Sequence, residues 1–565
     1  MWSRAALVLL ALVLTAQAQW SPDSTANLQI CDLTGEQVLP KIAATSDGGC
    51  FISWFDQRSG SYCAYLQRLD YQGNPQFPDG GILVSDLPQQ SWITDYGMAV
   101  DGEDNAVIVF SDQRNEEGEL DVSAYMMSGT GDFLWGSQGI CLSDTSQSSF
   151  EASPVVAVTG EGNCVFAWTK ETSQVSVVMQ KLSPEGTPLW GEWGITLSDP
   201  SANLSSPAVV PSGADSAIVM WKRSTGSYPM TVTHLYADMF DVNGSGIWGD
   251  TPVLIYDGGA ITPWTFPAMI PDGSGGAVCS WYDSPSLSDF NVWVQHLDDQ
   301  GNALYPFGGA QASTNSTDRL HMSPSAGIDP ATEDCFVFWT ETNGNQDQWG
   351  LCGQKFDASG IRQWTDGGLE LIPLGGEQIS FAGASVDPSG IYVTYLSGSG
   401  ASALRAMRLD FQGSVVWGPV TLSAGSLGEK DDPFPCYGHD SSLILAWTDK
   451  RNDNGGIYAQ NIMLDGGMGQ FMGVGEAQGS GPVTVSVSPN PSRGMASITV
   501  AGSCSQVSLD VYDLSGRLVD RLLNGTEVSG EETVSWTPRG TAAGVYILRL
   551  RSPGGETSRR LVMLR

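Results

Sequence analysis

The 565-residue sequence predicts an all-β fold, a long repeat followed by a smaller all-β unit. Three observations carry this. A short apolar strand closed by an aromatic residue returns at Trp54, Phe110, Trp168, Trp221, Trp281, Trp339, Tyr395 and Trp447, at spacings of 52 to 60 residues. The 68 glycines, 30 prolines and 19 tryptophans suit short strands joined by tight turns, and no long segment keeps a 3.6-residue period. The charge also shifts along the chain: it is −36 overall, yet residues 491–565 hold nine arginines against seven Asp and Glu, giving +2 there and −38 elsewhere.

Residues 1–18 read as a secretory signal peptide, with Arg4 as the positive start, Ala5 to Leu14 as the apolar run and Ala16-Gln17-Ala18 as a small-x-small cleavage site. That run is too short to span a bilayer, and no later stretch approaches such a length. The acidic balance argues against nucleic acid as a partner, because phosphate binding needs clustered Lys and Arg.

Each repeat divides into four strand-sized pieces. In the first, Cys50–Asp56 is followed by a polar loop and a second strand, Tyr62 to Leu69. A turn with glycine and an aromatic residue four positions later comes next, as in Gly73/Phe77, Gly131/Trp135, Gly186/Trp190, Gly244/Trp248, Gly301/Tyr305, Gly360/Trp364 and Gly413/Trp417. A short strand such as Gly139 to Asp144 follows, and a proline-marked strand, as around Pro154, Pro207, Pro267 and Pro324, leads into the next repeat.

Eight such repeats over residues 27–470 predict an eight-bladed β-propeller, with seven blades or two smaller propellers as alternatives. No linker-like composition interrupts residues 39–470, which disfavours two. The eighth repeat lacks a clear outer strand, and Leu28-Gln29-Ile30-Cys31-Asp32 lies before the first repeat with nothing of its own to pair with. The N-terminal strand is therefore expected to complete the last blade, which removes exposed strand edges.

Residues 471–484 read as a Gly-rich linker and 485–565 as a small Ig-like β-sandwich. Its strands are expected at 483–487, 496–500, 507–512, 532–536 and 544–550. Pro489-Asn490-Pro491, Val511 to Val519, Ala543-Gly544-Val545-Tyr546 and Arg559-Arg560-Leu561-Val562 resemble the C-terminal sorting domain of type IX secretion cargo, and are similar to the Ig-like domain of flagellar hook-capping proteins. The resemblance implies the type IX secretion machinery as a partner and export across a Gram-negative outer membrane, to the medium or the cell surface. It implies nothing about the propeller's activity.

Cys50, Cys164, Cys279 and Cys335 recur in the same strand, and Cys31 and Cys141 in another, which favours small core residues over a disulfide framework. A Cys335–Cys352 pair across a hairpin stays open. His234 and His296 fall at equivalent strand positions and read as packing or surface residues.

The loops after the aromatic residue are expected to ring one face of the propeller, where Asp56, Arg58, Asp112, Arg114, Asp283, Asp449 and Arg451 form a candidate binding site around the central opening. Pairing of Asp with Arg inside each loop is the competing reading. The complete Asp/Arg pairs fall in the first, second and eighth repeats, neighbours once the ring closes. Asp449, Asp453 and Asn454 concentrate oxygen ligands in one loop and are candidate calcium ligands, although their spacing departs from the EF-hand and a solvated turn competes. No other cofactor is expected.

No G-x-S-x-G or H-E-x-x-H motif occurs, and no acid or nucleophile stands out among the carboxylates. The expected function is an exported propeller that binds extracellular glycan or protein without catalysis. A propeller glycoside hydrolase using paired carboxylates, or a structural envelope or matrix component, are the alternatives.

Overall fold

A computed structural model describes residues 19–564 except 90–94, 115–118, 147, 228–229, 287, 316–318, 471–482, 489–491, 494, 514–517, 538–543 and 553–554. Residues 1–18, most of 471–484, the Pro489-Asn490-Pro491 motif and parts of the other sorting motifs lie outside them. The chain divides into two compact units, Met1–Gln470 and Phe471–Arg565.

The first unit contains eight four-stranded antiparallel blades. Blade 1 uses Gln37–Ala44, Cys50–Asp56, Cys63–Leu69 and Ile82–Ser85. Blades 2 to 7 repeat this meander over 97–141, 150–197, 203–256, 268–311, 319–375 and 379–423. Blades 5 and 6 are bridged in parallel at Phe290 and Leu320. Blade 8 takes Lys430–Tyr437, Leu443–Asp449 and Gly456–Ile462, and receives Leu28–Cys31 as its outer strand, with Leu28 opposite Ala459 and Cys31 opposite Ile457. The first strand of each blade lies beside that of the next, and blade 8's lies beside Gln37–Ala44, so the ring is closed.

Alternation of apolar residues on two-sided strands explains the core. Val107 and Val109 of blade 2 pack with Phe166 and Trp168 of blade 3, and Val165 and Ala167 of blade 3 with Val219 and Trp221 of blade 4. The recurring aromatic residue is thus part of the blade interface, and Trp54, Trp168, Trp281, Trp339 and Trp447 are fully buried.

The glycine-to-aromatic turn has a physical reason. A Cβ on Gly186 would come within 2.9 Å of the Trp135 ring, one on Gly244 within 3.1 Å of Trp190, and one on Gly301 within 2.6 Å of Trp248. Each glycine also has positive φ. The indole N–H then donates to a carbonyl of the next blade's turn: Trp135 to Pro184 at 2.9 Å, Trp190 to Val242 at 3.2 Å, Trp248 to Asp299 at 3.1 Å and Trp417 to Leu464 at 2.8 Å. The motif locks each blade to its successor.

The proline-marked strand is the innermost one, and its proline marks a bulge. Leu39, Ser153, Ser206, Ser323 and Asp432 have φ of 51 to 54° and precede Pro40, Pro154, Pro207, Pro324 and Pro433; Phe381 has the same φ of 54° without the proline. Strand register shifts at each of these positions. Proline is accommodated because a bulged residue leaves the ladder.

The second unit is one six-stranded sheet around a core that includes Ile498, Leu509, Val511, Trp536, Leu548 and Leu561. The expected short strands 496–500 and 507–512 are one strand, Ala496–Asp513, and 532–536 is the end of Leu518–Trp536. The polar Ser503-Cys504-Ser505-Gln506 segment reads as a turn, but the chain carries the extra residues as bulges between Cys504 and Leu509. Ala496–Asp513 pairs with Val483–Ser488 along its first half, with Gly544–Ser552 along its second and with Leu518–Trp536 throughout, so one long strand serves three partners.

All ten cysteines are free thiols. Cys335 stands opposite Phe356 and Cys352 opposite Trp339, so the hairpin does not bring those two together. The Cys352 thiol instead donates to Glu341 at 3.5 Å. His234 and His296 are not equivalent. His234 lies opposite Arg223, late in the preceding strand of its blade, whereas His296 lies opposite Val278, early in the preceding strand of its own. His296 is buried against Asp272 at 3.0 Å.

Candidate functional site at the mouth of the ring

The bulges of the innermost strands carry Leu39, Ser153, Ser206, Ser323, Phe381 and Asp432. Phe381 is 44% exposed, Phe434 is 42% exposed, and Phe266, which precedes Pro267 in blade 5, is 72% exposed. These rings stand on innermost strands or their approaches in blades 5, 7 and 8. A cavity of about 260 Å³ opens between blades 6 and 7, lined by Ser323, Thr340, Trp349, Gln378, Ser380 and Phe381.

The charged part of the mouth lies at blades 8, 1 and 2. The Lys41 ammonium meets Asp95 at 2.8 Å and lies 4.7 Å from the centre of the Phe434 ring. Asp431 pairs with Lys450 at 2.7 Å. Asp432 is pushed up to about 6 by burial first and then by the charge of Asp431, with Asp95 adding to the rise and Lys41 and Lys450 opposing it. One carboxyl therefore changes charge near neutral pH beside a fixed cation and exposed aromatic rings.

The Asp and Arg residues expected around the opening are placed differently. Asp56, Asp112 and Asp449 are buried at the ends of second strands. Arg114 grips Asp112 through two bonds of 2.8 and 2.7 Å, and Arg451 grips Asp449 through bonds of 2.9 and 2.7 Å. Arg58 bonds Asp56 and lies 4.0 Å from the centre of the Tyr65 ring. The guanidinium groups reach toward the outer strands, where Arg58 donates to the Gly80 carbonyl at 2.9 Å and Arg114 to that of Gln138 at 3.2 Å. Burial works to raise Asp56, but bonds from Arg58 and Trp54 hold it below the usual carboxylate range; at Asp112 burial prevails and the carboxyl is raised. Asp283 has no arginine; it accepts from Tyr256 at 2.7 Å and Asn291 at 3.3 Å.

Nor is the ion pair confined to three blades. In blade 3 its partners exchange sides, with Lys170 two residues after Trp168 and Glu151 on the neighbouring strand, 3.0 Å apart. In blade 4 Arg223 pairs with Asp199 at 2.8 Å, and in blade 6 Arg319 pairs with Glu341. Sequence reasoning missed these because the partners are not two residues apart; strand register is the signal that finds them.

Of the calcium candidates, Asp449 has both oxygens engaged by Arg451 and Trp447, and Asp453 accepts from its own loop at Gly455 N–H. Asn454 shares that exposed turn. Among the described residues no group of three or more His, Cys, Asp or Glu is arranged to hold a metal ion.

Residues 486–564 match the family model of the secretion system C-terminal sorting domain. The C-terminal unit is thus a type IX secretion sorting domain, and the chain behind which it stands is an exported one. No curated protein matches the chain. Solved structures that it resembles include polysaccharide lyase Uly1, at 12% identity and a TM-score of 0.42 over 80% of this chain and 98% of that one. An endo-arabinase from Bacteroides thetaiotaomicron matches at 12% identity and a TM-score of 0.29, over 67% and 96%. PorZ, a surface component of the type-IX secretion system of Porphyromonas gingivalis, matches at 13% identity and a TM-score of 0.20, over 93% and 81%. No helix among the described residues is long and apolar enough to cross a membrane.

Proposed function

We propose that the protein is a glycan-binding propeller, delivered to the outer surface of a Gram-negative cell or to the medium, and that the mouth of the ring is its contact surface. The observation that supports this is the pair of exposed rings on neighbouring innermost strands, Phe381 at the blade 7 bulge and Phe434 of blade 8, the latter beside Lys41 and its partner Asp95. A sugar ring has an apolar face that stacks on such aromatics and hydroxyls that pair with carboxylate and ammonium groups. The test is a glycan array with the mature chain and with the Phe381→Ala/Phe434→Ala double variant. The reading expects selective glycan binding that the variant loses while its melting curve is kept. Binding unaffected by the variant, or capture of protein ligands alone, would overturn it.

A hydrolase is the second reading, favoured by one observation: the raised Asp432 carboxyl is suited to proton donation, with Asp95 and Asp431 as nearby carboxylates. Release of reducing ends from a bound polysaccharide, abolished by Asp432→Asn, would establish it over simple binding.

A further inference from the structure

The repeat supplies an internal comparison that singles out the gap between blades 6 and 7. Three blades carry threonine directly after the recurring tryptophan: Thr169 in blade 3, Thr340 in blade 6 and Thr448 in blade 8. In two of them the hydroxyl latches its blade to the next. Thr169 Oγ1 accepts the Ser206 N–H at 3.1 Å, and Thr448 Oγ1 accepts the Leu39 N–H at 3.2 Å. Ser206 and Leu39 are the bulge residues of blades 4 and 1.

In blade 6 the latch is open. Side chains alternate along Asp334–Asn343, so that Val337 and Trp339 pack with blade 5, and Phe336 and Phe338 with blade 7. Thr340 and Thr342 continue the face toward blade 7. They are 5% and 1% exposed, and neither hydroxyl has a hydrogen-bond partner. The bulge residue that a latch from Thr340 would reach is Phe381, and both residues line the cavity of about 260 Å³ between the blades. The opening is local, because Ser325 of blade 6 still accepts the Ala384 N–H of blade 7 at 3.0 Å. A buried hydroxyl facing a gap is unfavourable until something bonds it.

The walls decide what fits. Trp349 stands opposite Thr342 on the neighbouring strand, hence on the same face, and offers one flat apolar wall; the exposed Phe381 ring offers another. Ser323, Gln378 and Ser380 add hydroxyl and amide groups. Every described residue that lines the cavity is uncharged. The junction of blades 8 and 1, by contrast, holds the Lys41 ammonium near the Phe434 ring. A carboxylate drawn into the uncharged gap would lose hydration without gaining a cation. A sugar hydroxyl both donates and accepts, which suits an unpartnered threonine, and the C–H face of a pyranose suits an aromatic ring.

On the glycan-binding reading, on which this rests, we infer that the gap between blades 6 and 7 receives one neutral pyranose ring. One of its hydroxyls bonds Thr340, and its apolar face lies against the Trp349 and Phe381 rings.

The probes are methyl pyranosides of glucose, galactose, mannose and xylose, with methyl glucuronoside as the charged counterpart. Binding is followed by calorimetry and tryptophan fluorescence in the mature chain and in Thr340→Val. At least one neutral pyranoside should bind, at least about tenfold more tightly than the glucuronoside, a difference of about 1.4 kcal/mol. Thr340→Val should weaken that sugar at least about tenfold. Its melting temperature should be equal or higher, because the hydroxyl it removes has no partner in the free protein. Thr169→Val and Thr448→Val, which cut made latches, should lower theirs. Failure of every neutral pyranoside to bind, preference for the glucuronoside, undiminished binding by folded Thr340→Val, or a Thr340→Val melting temperature as low as that of Thr448→Val would each overturn the inference. A positive glycan array with undiminished pyranoside binding in Thr340→Val removes this site alone and leaves the glycan reading standing; a blank array removes the reading itself.

Discussion

Trp20 and Gly73 make the closing contact of the ring. A Cβ on Gly73 would come within 2.8 Å of the Trp20 indole, and the indole N–H donates to the Tyr71 carbonyl at 3.0 Å. The relation matches that of Trp135 with Gly186 or Trp417 with Gly466. In blade 8 the residue four positions after the turn glycine Gly466 is Gln470, not an aromatic residue. A tryptophan from the other end of the repeat region takes its place.

Trp20→Ala should therefore destabilise the whole propeller, by about 3–5 kcal/mol as for other buried Trp truncations. Thermal unfolding checks this, with the exposed Trp193→Ala as control. An unchanged melting curve would show that Leu28–Cys31 alone closes the ring.

Removal of the Arg451 side chain leaves Asp449 buried with the Trp447 N–H, the backbone N–H of position 451 at 3.0 Å, and Lys430 no closer than 3.9 Å. Arg451→Ala should cost roughly 3–5 kcal/mol near neutral pH. Urea unfolding at pH 7 tests this; a loss below about 0.5 kcal/mol would mark the pair as a surface ornament.

Asp432 gives a pH dependence with a definite sign. Its folded value of about 6 lies above its ordinary 3.8, so between these values the native state holds the extra proton. Stability falls as pH rises across that window. Asp432→Asn should flatten the fall and be the more stable protein at pH 7, by about 1 kcal/mol once solvent screening at a partly exposed site is allowed for. Urea midpoints from pH 4 to 7 decide it, and a variant less stable at pH 7 would contradict the burial argument.

The repeat unit closes within residues before 471, so a chain ending at Gln470 should melt at the temperature of the propeller in the full chain. In a host with type IX secretion it should remain in the periplasm. Surface delivery of the truncated chain would separate export from the C-terminal unit.

Much of the architecture was legible because it repeats. The glycine-to-aromatic spacing survives in sequence because a Cβ at Gly244 or Gly301 would strike the neighbouring indole. The unpaired Leu28–Cys31 strand was readable because blade 8 lacked that piece. The site was less legible. Pro154 and Pro207 marked a strand, but that Ser153 and Ser206 form bulges in it follows from register. The Glu151–Lys170 pair was hidden because its partners lie 19 residues apart on adjacent strands. The long strand Ala496–Asp513 was read as two, since serine and glycine in its middle mimic a turn.

The outer strand of blade 8 is made first and its partner last: Tyr458 donates to Asp32 across 426 residues of chain. Every other blade can assemble from neighbours in sequence, whereas this one pays the largest loop-closure entropy in the ring. Completion is therefore timed by synthesis. An unfinished or stalled chain carries Leu28–Cys31 as a lone strand with no blade to join, and a finished one does not, so proteases and chaperones that read unpaired strands can tell the two apart before the protein reaches the surface.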